Sequence, residues 1–538
     1  MNFRHVLRQL GLLLIVLALA MAVASGVEFF GLMEEKHSER MSFYALLTGT
    51  VISGLVGICL WLFGGSAVTE FINRRDALLL VALGWLVGAA MAALPYYAWA
   101  KLGGPPGLTG AAVMRETTRA ATGETGPPGH AFESYTACYF ESMSGLTTTG
   151  ATVLAGSPYD IEALPRGLLL WRALTHWLGG LGIVVLFVAV LPVVGMGGKK
   201  LFQVEAPGPK QQGVRPRIRE TARVLWLIYL ALTVAQFTAY RLAGMPSFDS
   251  ICHTFATLAT GGFSTQNASI GQYHTSPLID WITILFMILA GVNFGLYYQV
   301  VNRKFTNVFR DPELRLYLTI IGSVTLIVGL WTVGKTSVIT TGDTYRPGLG
   351  NALRDGLFQV VSIQTTTGFA TIDFNQWEFL PKALLVGLMF VGGCAGSTGG
   401  GCKVIRVLIA FKIIATEFER VFRPNVVKPV RVGGGVIDPD AARSVLIYLI
   451  LIALLFAGGA MLLMVFESHG SIDFITSSTA ALSCLMNVGP GLGMVGAVEN
   501  YGFFNPASLM LLSILMALGR LEVFAILVLF LPRFWRDV

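Results

Sequence analysis

Four short segments carry residue types suited to binding a bare cation: Thr148-Thr149-Gly150-Ala151, Thr260-Gly261-Gly262-Phe263, Thr366-Thr367-Gly368-Phe369 and Asn487-Val488-Gly489-Pro490. Each follows a polar stretch with helical character and lies between strongly apolar runs. A dehydrated alkali cation needs oxygen ligands in place of its hydration water. Rings of backbone carbonyls supply them without a formal charge that would trap the ion. Glycine suits such a site because it reaches conformations that aim successive carbonyls inward, with no side chain at the constriction. The candidate ion-coordinating residues are thus Thr148, Thr149, Gly150, Thr260, Gly261, Gly262, Thr366, Thr367, Gly368, Asn487, Val488 and Gly489, mainly through their carbonyls. Two segments depart from Thr-Thr-Gly: Gly261 replaces a threonine, and Asn487-Val488 replace both. A ring built from them is pseudo-symmetric, with looser selectivity than a true four-fold one.

The elements that position these segments follow from composition. Of 538 residues, 54% are hydrophobic and 13% charged, and the mean hydropathy is +0.67. Soluble domains carry about a quarter charged residues, so the expected class is an all-α polytopic membrane protein. Apolar runs of spanning length occur at 9–30, 41–63, 77–100, 166–195, 221–243, 279–302, 314–334, 381–414, 441–466 and 504–532. The net charge of +7 is not a nucleic-acid footprint. Its basic residues fall between alternate spans: Arg4 and Arg8, Arg74 and Arg75, Lys199 to Arg219, Arg303 to Arg315, Lys412 to Arg431, and Arg533 with Arg536. The positive-inside rule puts those loops and both termini in the cytoplasm, and all four glycine segments toward the outer face. The first apolar run ends in Ala22-Val23-Ala24-Ser25, a cleavage-like sequence, and is expected to be retained as a span. The stretch 199–219 reads as topogenic and lipid-facing, with docking of a soluble partner as its alternative.

The key glycines Gly150, Gly262, Gly368 and Gly489 are 112, 106 and 121 residues apart, an internal repeat of span, short helix, glycine segment and span. The expected units are an N-terminal helix pair at 1–76 and pore repeats at 77–200, 201–311, 312–432 and 433–538. The turn-rich stretch from 101 to about 131 is an exterior loop. Helices over about 131–146 and 351–364 lead into the first and third segments and turn their negative ends toward the cavity, which favours cations. Irregular backbone is tolerated at membrane depth only where protein or a water-filled cavity satisfies it, so the four segments must converge on one axis.

The span at 381–414 contains Gly392-Gly393-Cys394-Ala395-Gly396-Ser397-Thr398-Gly399-Gly400-Gly401-Cys402. Each glycine costs roughly 1 kcal/mol in a helix interior relative to alanine, so this stretch is expected to unwind along a permeation path. Close helix packing through small residues is the alternative. Arg520 lies within the last apolar run, where an uncompensated arginine costs about 2.5–3.5 kcal/mol. It is expected to face the cavity or a partner, and Glu522, two residues on, is a weak partner. Glu141, in the first short helix, either braces that helix or biases cations. The Gly491–Gly496 match to GxGxxG lacks a preceding strand and a following acid, and Gly433–Gly435 lacks the lysine of a P-loop. No catalytic cluster stands out, the six cysteines form no CxxC pair, and neither an enzyme nor an organic cofactor is indicated.

These features resemble the Trk/Ktr/HKT superfamily of cation transporters, and within it the bacterial TrkH/TrkG potassium uptake branch. The resemblance rests on the four segments, the run Trp171-Arg172-Ala173-Leu174-Thr175-His176-Trp177-Leu178-Gly179-Gly180, the loop at 392–406 and Gly519-Arg520-Leu521-Glu522. It covers essentially the whole chain, and the N-terminal helix pair fits the TrkH type. It implies potassium as the transported ion, since in that superfamily glycine at the position of Gly150 accompanies potassium permeation and serine sodium selectivity. It also implies a gate built from Gly392–Gly401 and Arg520, a homodimer with one pore per subunit, and a TrkA-type nucleotide-binding partner acting from the cytoplasm. Uptake across the bacterial inner membrane would then be driven by the membrane potential, about 2.3 kcal/mol per unit charge per 100 mV. The alternative is a secondary transporter coupling potassium to protons or sodium. It needs a titratable pair at the midplane, and the spans are poor in acids.

Overall fold

Cap–proline pairs set where three of the long helices begin. In Asp311-Pro312, Asp438-Pro439 and Asn505-Pro506 the first side chain accepts the backbone N–H of Leu314 (2.9 Å), Asp440 (3.2 Å) and Ser508 (2.8 Å). Proline then fills the first helical position, where its missing N–H costs nothing. The computed structural model describes residues 1–31, 37–65, 74–102, 131–154, 160–182, 218–301, 303, 305–424, 429–433, 435–468 and 472–536. The expected exterior loop over 103–130, the second half of the span at 166–195 (183–195), and the basic stretch 199–217 lie outside them.

In chain order the helices are α1 (Phe3–Gly31), α2 (His37–Phe63), α3 (Arg74–Ala92), α4 (Leu94–Lys101), α5 (Tyr135–Leu146), α6 (Arg166–Trp177), α7 (Ile218–Leu242), α8 (Ser247–Leu258), α9 (Pro277–Ala290), α10 (Phe294–Val301) and α11 (Phe305–Arg310). They continue with α12 (Pro312–Thr332), α13 (Leu349–Gln364), α14 (Phe379–Met389), α15 (Val404–Phe422), α16 (Pro439–Phe466), α17 (Phe474–Met486), α18 (Pro506–Arg520), α19 (Phe524–Leu527) and α20 (Pro532–Trp535). A small antiparallel hairpin, β1 (Ser337–Val338) with β2 (Thr344–Tyr345), precedes α13.

Six helical stretches among the described residues are long and apolar enough to cross a membrane, and up to eight if each of two bent pairs is one span. The remaining two of the ten expected spans are the one that runs out of the described residues after Gly182 and the glycine-rich one. The latter is interrupted as its composition demands: α14 stops at Met389 and α15 starts at Val404. From the sequence, 279–302 and 504–532 are expected to be continuous, and both are broken. α9 and α10 meet at 95°, and α18 meets the helix after it at 110°. At the first break Asn293 turns its side-chain oxygen onto the N–H of Gly295 (2.8 Å), a local bond that competes with the helix ladder. At the second, Glu522 and Val523 both take positive φ.

The four helices that precede the glycine segments, α5, α8, α13 and α17, have 12 to 16 residues. At 1.5 Å per residue none reaches across a hydrocarbon core of about 30 Å. Each therefore ends inside the molecule.

α1 and α2 pack backbone to backbone. A Cβ on Gly11 would lie 2.5 Å from the carbonyl oxygen of Gly57, and one on Gly57 2.9 Å from that of Gly11, the close approach that small residues permit between apolar helices. Gly57→Leu forces them apart at a cost of roughly 1–3 kcal/mol. It is expected to lower the Tm of the detergent-solubilised protein, whereas Gly26→Leu, which meets nothing within 4 Å, leaves the Tm unchanged.

Candidate functional site: the glycine ring and the loop beneath it

All four short helices end in one local structure. The second residue past the helix in the first three, and the first in the fourth, takes a left-handed conformation: Thr148 (φ 54°), Thr260 (56°), Thr366 (59°) and Asn487 (57°). The N–H of the next residue then reaches back five positions, from Thr149 to Ser144 (2.9 Å), Gly261 to Ala256 (2.8 Å), Thr367 to Ser362 (2.8 Å) and Val488 to Ser483 (2.9 Å). This is a Schellman cap, normally closed by glycine. Three β-branched threonines occupy it instead, each at about 1–3 kcal/mol of backbone strain. Asn487 is the residue type that tolerates the conformation better.

The glycines that follow have positive φ as well: Gly150 (83°), Gly262 (82°), Gly368 (78°) and Gly489 (102°). Each presses its Cα face on a carbonyl of the next segment. A Cβ would fall 2.1 Å from the oxygen of Gly261 at Gly150, 2.0 Å from that of Thr367 at Gly262, 2.3 Å from that of Val488 at Gly368, and 2.6 Å from that of Thr149 at Gly489. The contacts run one to two, two to three, three to four and four to one, which closes a ring. A cavity of about 330 Å³ opens onto all four glycines, and Asp160, Arg172 and Glu499 also line it.

The two segments that depart from Thr-Thr-Gly do so for visible reasons. A Cβ at Gly261 would lie 2.4 Å from the imidazole of His176, which stacks on Phe263 at 4.1 Å. The α6 histidine thus fills the room that a threonine side chain would need. Asn487 donates to Thr149 Oγ1 and to the carbonyl of Met516, both at 3.0 Å, and so ties the fourth segment to the first and to α18. In segments one and three the threonines pair their own hydroxyls instead, Thr147 with Thr149 and Thr365 with Thr367, both at 2.7 Å.

The loop Gly392–Gly401 lies against the ring on the side of Thr365, Thr366 and Met486. Its Gly400 N–H donates to Thr366 Oγ1 (2.7 Å). A Cβ on Gly400 would meet the carbonyl of Met486 at 2.7 Å, and one on Gly399 that of Thr365 at 3.1 Å. Here the glycines serve both unwinding and close approach. The loop also bonds to the break between α9 and α10: Cys394 N–H to Gly291 O (2.9 Å), Thr398 Oγ1 to Ala290 O (3.2 Å), and Phe294 N–H to Gly396 O (3.1 Å). Arg520 spans from the loop to the distorted turn that follows α6. It donates to the carbonyls of Thr398 (2.9 Å), Gly179 (2.6 Å) and Gly180 (3.0 Å). Ala395, Ser397, Gly393 and Gly401 complete the loop, with Gly396 and Gly401 at positive φ.

Several residues here have partners that no local sequence pattern indicates. Glu313, in the first turn of α12, accepts from the N–H groups of Ala395 (2.7 Å) and Ile405 (3.0 Å) and so fixes both ends of the loop. Glu522 pairs with Arg406, whose guanidinium stacks on Tyr448 at 4.0 Å. Glu141 pairs with Arg172 at 2.8 Å, and both are buried, so the bracing role is the one the contacts bear out. A glutamate within or at the edge of an apolar stretch is the local cue, but the partner is far away in sequence. Chemically the four segments bring backbone carbonyls and helix C-terminal ends together beside one cavity, the type of arrangement that can replace water around a cation. Among the described residues, no group of three His, Cys, Asp or Glu could hold a metal ion.

A family model described as TrkH, cation transport protein, matches residues 115–536. The Trk system potassium uptake protein TrkH of Salmonella typhimurium is 36% identical over 543 residues, which is 100% of each chain. The Trk system potassium uptake protein TrkG of Escherichia coli K12 is 38% identical over 402 residues, 74% of this chain and 78% of its own. In three dimensions the chain is similar to the crystal structure of the potassium transporter TrkH from Vibrio parahaemolyticus, with a TM-score of 0.80 at 32% identity over 100% of both chains.

Loss of the Glu313 carboxylate strands two buried N–H groups, each worth about 1–3 kcal/mol. In a Cys59→Ser background, which removes the one exposed thiol, Glu313→Ala is expected to make Cys394 and Cys402 react with a maleimide. The parent's two loop thiols, 0% and 3% exposed, stay protected. Equal labelling of both proteins would mean that Glu313 does not hold the loop.

Proposed function

This chain belongs to the TrkH family of cation transport proteins, and we propose that it carries potassium inward across the bacterial cytoplasmic membrane through a channel-like pore. The observation that carries this reading is the closed circuit of glycine-on-carbonyl contacts, Gly150 to Gly261, Gly262 to Thr367, Gly368 to Val488 and Gly489 to Thr149. Four segments that fit one another in a circuit surround one axis, and the carbonyls of Thr148–Gly150, Thr260–Gly262, Thr366–Gly368 and Asn487–Gly489 are its potassium ligands. Four repeats, at 77–200, 201–311, 312–432 and 433–538, stand around that axis, and the 1–76 unit packs outside. Potassium is the ion that the relatives' names give.

The loop Gly392–Gly401 and Arg520 form the gate. An ion that has passed the ring meets the loop next, and the loop must move aside for it. The hydrogen bonds of Arg520 to Thr398, Gly179 and Gly180 hold it closed, and the fixed positive charge raises the barrier for cations. Opening is governed from the cytoplasmic side by a TrkA-type nucleotide-binding subunit acting on a homodimer, with both termini of each chain in the cytoplasm. The "Trk system" of the relatives' names supports partnership with other Trk components.

Purified protein in liposomes is expected to take up rubidium at a clamped inside-negative potential. Absence of flux, or flux that follows a proton gradient at fixed voltage, would sink the channel reading. A unit charge about 5 Å from the ion path is worth roughly 3 kcal/mol at an effective dielectric near 20. Removal of even ~1 kcal/mol of barrier raises flux about fivefold. Arg520→Ala is expected to do at least that. Unchanged flux in folded Arg520→Ala protein would place the barrier elsewhere.

A further inference from the structure

The pore-helix residue seven positions before the left-handed residue is Glu141 in the first repeat, His253 in the second, Gln359 in the third and Ala480 in the fourth. The three polar ones are all 0% exposed. They differ in chemistry, yet each does one thing: it holds the strand that leaves the glycine.

Glu141 accepts from Val153 N–H and Thr152 Oγ1, both at 3.0 Å. His253 gives its Nδ1 proton to Asp249 O (2.8 Å), which leaves Nε2 as acceptor for the hydroxyl of Ser264 (3.0 Å). That tautomer follows because the Asp249 carbonyl can only accept, and the Ser264 hydroxyl, which accepts from the N–H of Gln266 (2.9 Å), still has its own proton to donate. Gln359, with its amide oxygen turned to the strand, accepts from Thr371 Oγ1, Thr371 N–H and Ile372 N–H, each at 3.1 Å. Amide orientation is assigned from the bonding pattern, and three donors converge on this one oxygen. In the fourth repeat alanine stands at the position, and the neighbouring Thr479 takes over: its Oγ1 accepts from Leu492 N–H (2.9 Å). The bonded strand residues lie four to six positions past the left-handed residue in every repeat.

We infer that Glu141, His253, Gln359 and Thr479 are positioning residues that fix the width of the ring. They thereby set its discrimination between potassium-sized and sodium-sized ions. Each is a strut between a pore helix and the strand behind the coordinating carbonyls. Each ring glycine meets the next segment through a carbonyl, and Gly368 also meets the Pro490 side chain; these contacts limit contraction, while the struts behind the ring limit the outward and lateral displacement of each strand. Arg172 joins two struts: it binds Glu141 at 2.8 Å and donates to the Ser264 carbonyl at 3.2 Å. A displacement of the first strand therefore reaches the second. The alternative is that these side chains are buried polar groups satisfied by nearby backbone, with no bearing on ion choice.

Rubidium and sodium fluxes measured separately in proteoliposomes at the same clamped potential separate the two. Gln359→Leu and Thr479→Val, which delete a strut acceptor, are expected to lower the rubidium-to-sodium ratio roughly fivefold or more. Gln359→Glu, which keeps an accepting oxygen, stays within about twofold of the parent. Ser142→Ala, which loses a buried bond to Ala89 away from the ring, keeps the parental ratio. A parental ratio in conducting Gln359→Leu protein overturns the inference. Should that variant fail to fold, a parental ratio in Thr479→Val does the same. The inference rests on the ring being an ion filter. Absence of rubidium flux from the unaltered chain overturns that premise, whereas flux with an unmoved ratio overturns only the struts.

Discussion

The contact on which the rest depends is a glycine Cα lying on the carbonyl oxygen of the next segment, made four times in a circuit. Each segment lays its glycine face on the segment after it and offers one carbonyl to the segment before it. No segment is correctly placed alone, so the four short helices must all arrive at the same depth with the same terminal geometry. The shared Schellman cap accomplishes this, because a left-handed residue at a fixed point sets where the helix ends and where the chain turns. The strain of three threonines in that conformation persists because the surroundings over-determine it. Their neighbours are serines and threonines whose hydroxyls are spent on the same segments, such as Ser362 on Phe369 O and Ser483 on Gly489 O.

The helix breaks and the buried charges explain one another. Arg520 costs several kcal/mol in a hydrocarbon environment unless it is bonded, and a continuous α6 and an intact span at 390–403 would leave no carbonyl free for it. The distorted turn at Leu178–Gly182, with Gly180 at ψ −111°, and the unwound loop release the oxygens it binds. Glu313 does the converse with free N–H groups. Broken backbone needs polar side chains and polar side chains need broken backbone, so both gather in one layer beneath the ring.

How much of this was legible in the sequence depends on how local each cause is. The four segments, the unwound loop and the third pore helix were, because Thr-Thr-Gly, six glycines in eleven residues and apolar periodicity act over a few positions. The first pore helix starts at Tyr135, a turn later than expected from residue 131. The bends after Ala290 and Arg520 were not recognised: Gly291, Asn293 and Gly295 at the first and Gly519, Arg520 and Glu522 at the second do interrupt the apolar runs, but isolated residues of these types also occur within straight spans, and what packs beside them decides. The reason for Gly261 was invisible for the same kind of cause: His176 belongs to another helix, 85 residues earlier. Glu141 was noticed, but its partner Arg172 could be found only in three dimensions.

Because one chain writes all four quarters of the ring, each quarter is free to differ. In an assembly of four identical subunits a single codon change strikes the constriction four times over, and a mild alteration becomes a drastic one. Here the glycine beside His176 and the asparagine that reaches Met516 each stand in one quarter alone, each with its own local partner. Substitution in one segment can then adjust the ring in steps of one quarter. That is a finer scale of tuning than symmetric assembly allows, and it leaves one quarter able to take on the loop while the others keep the path.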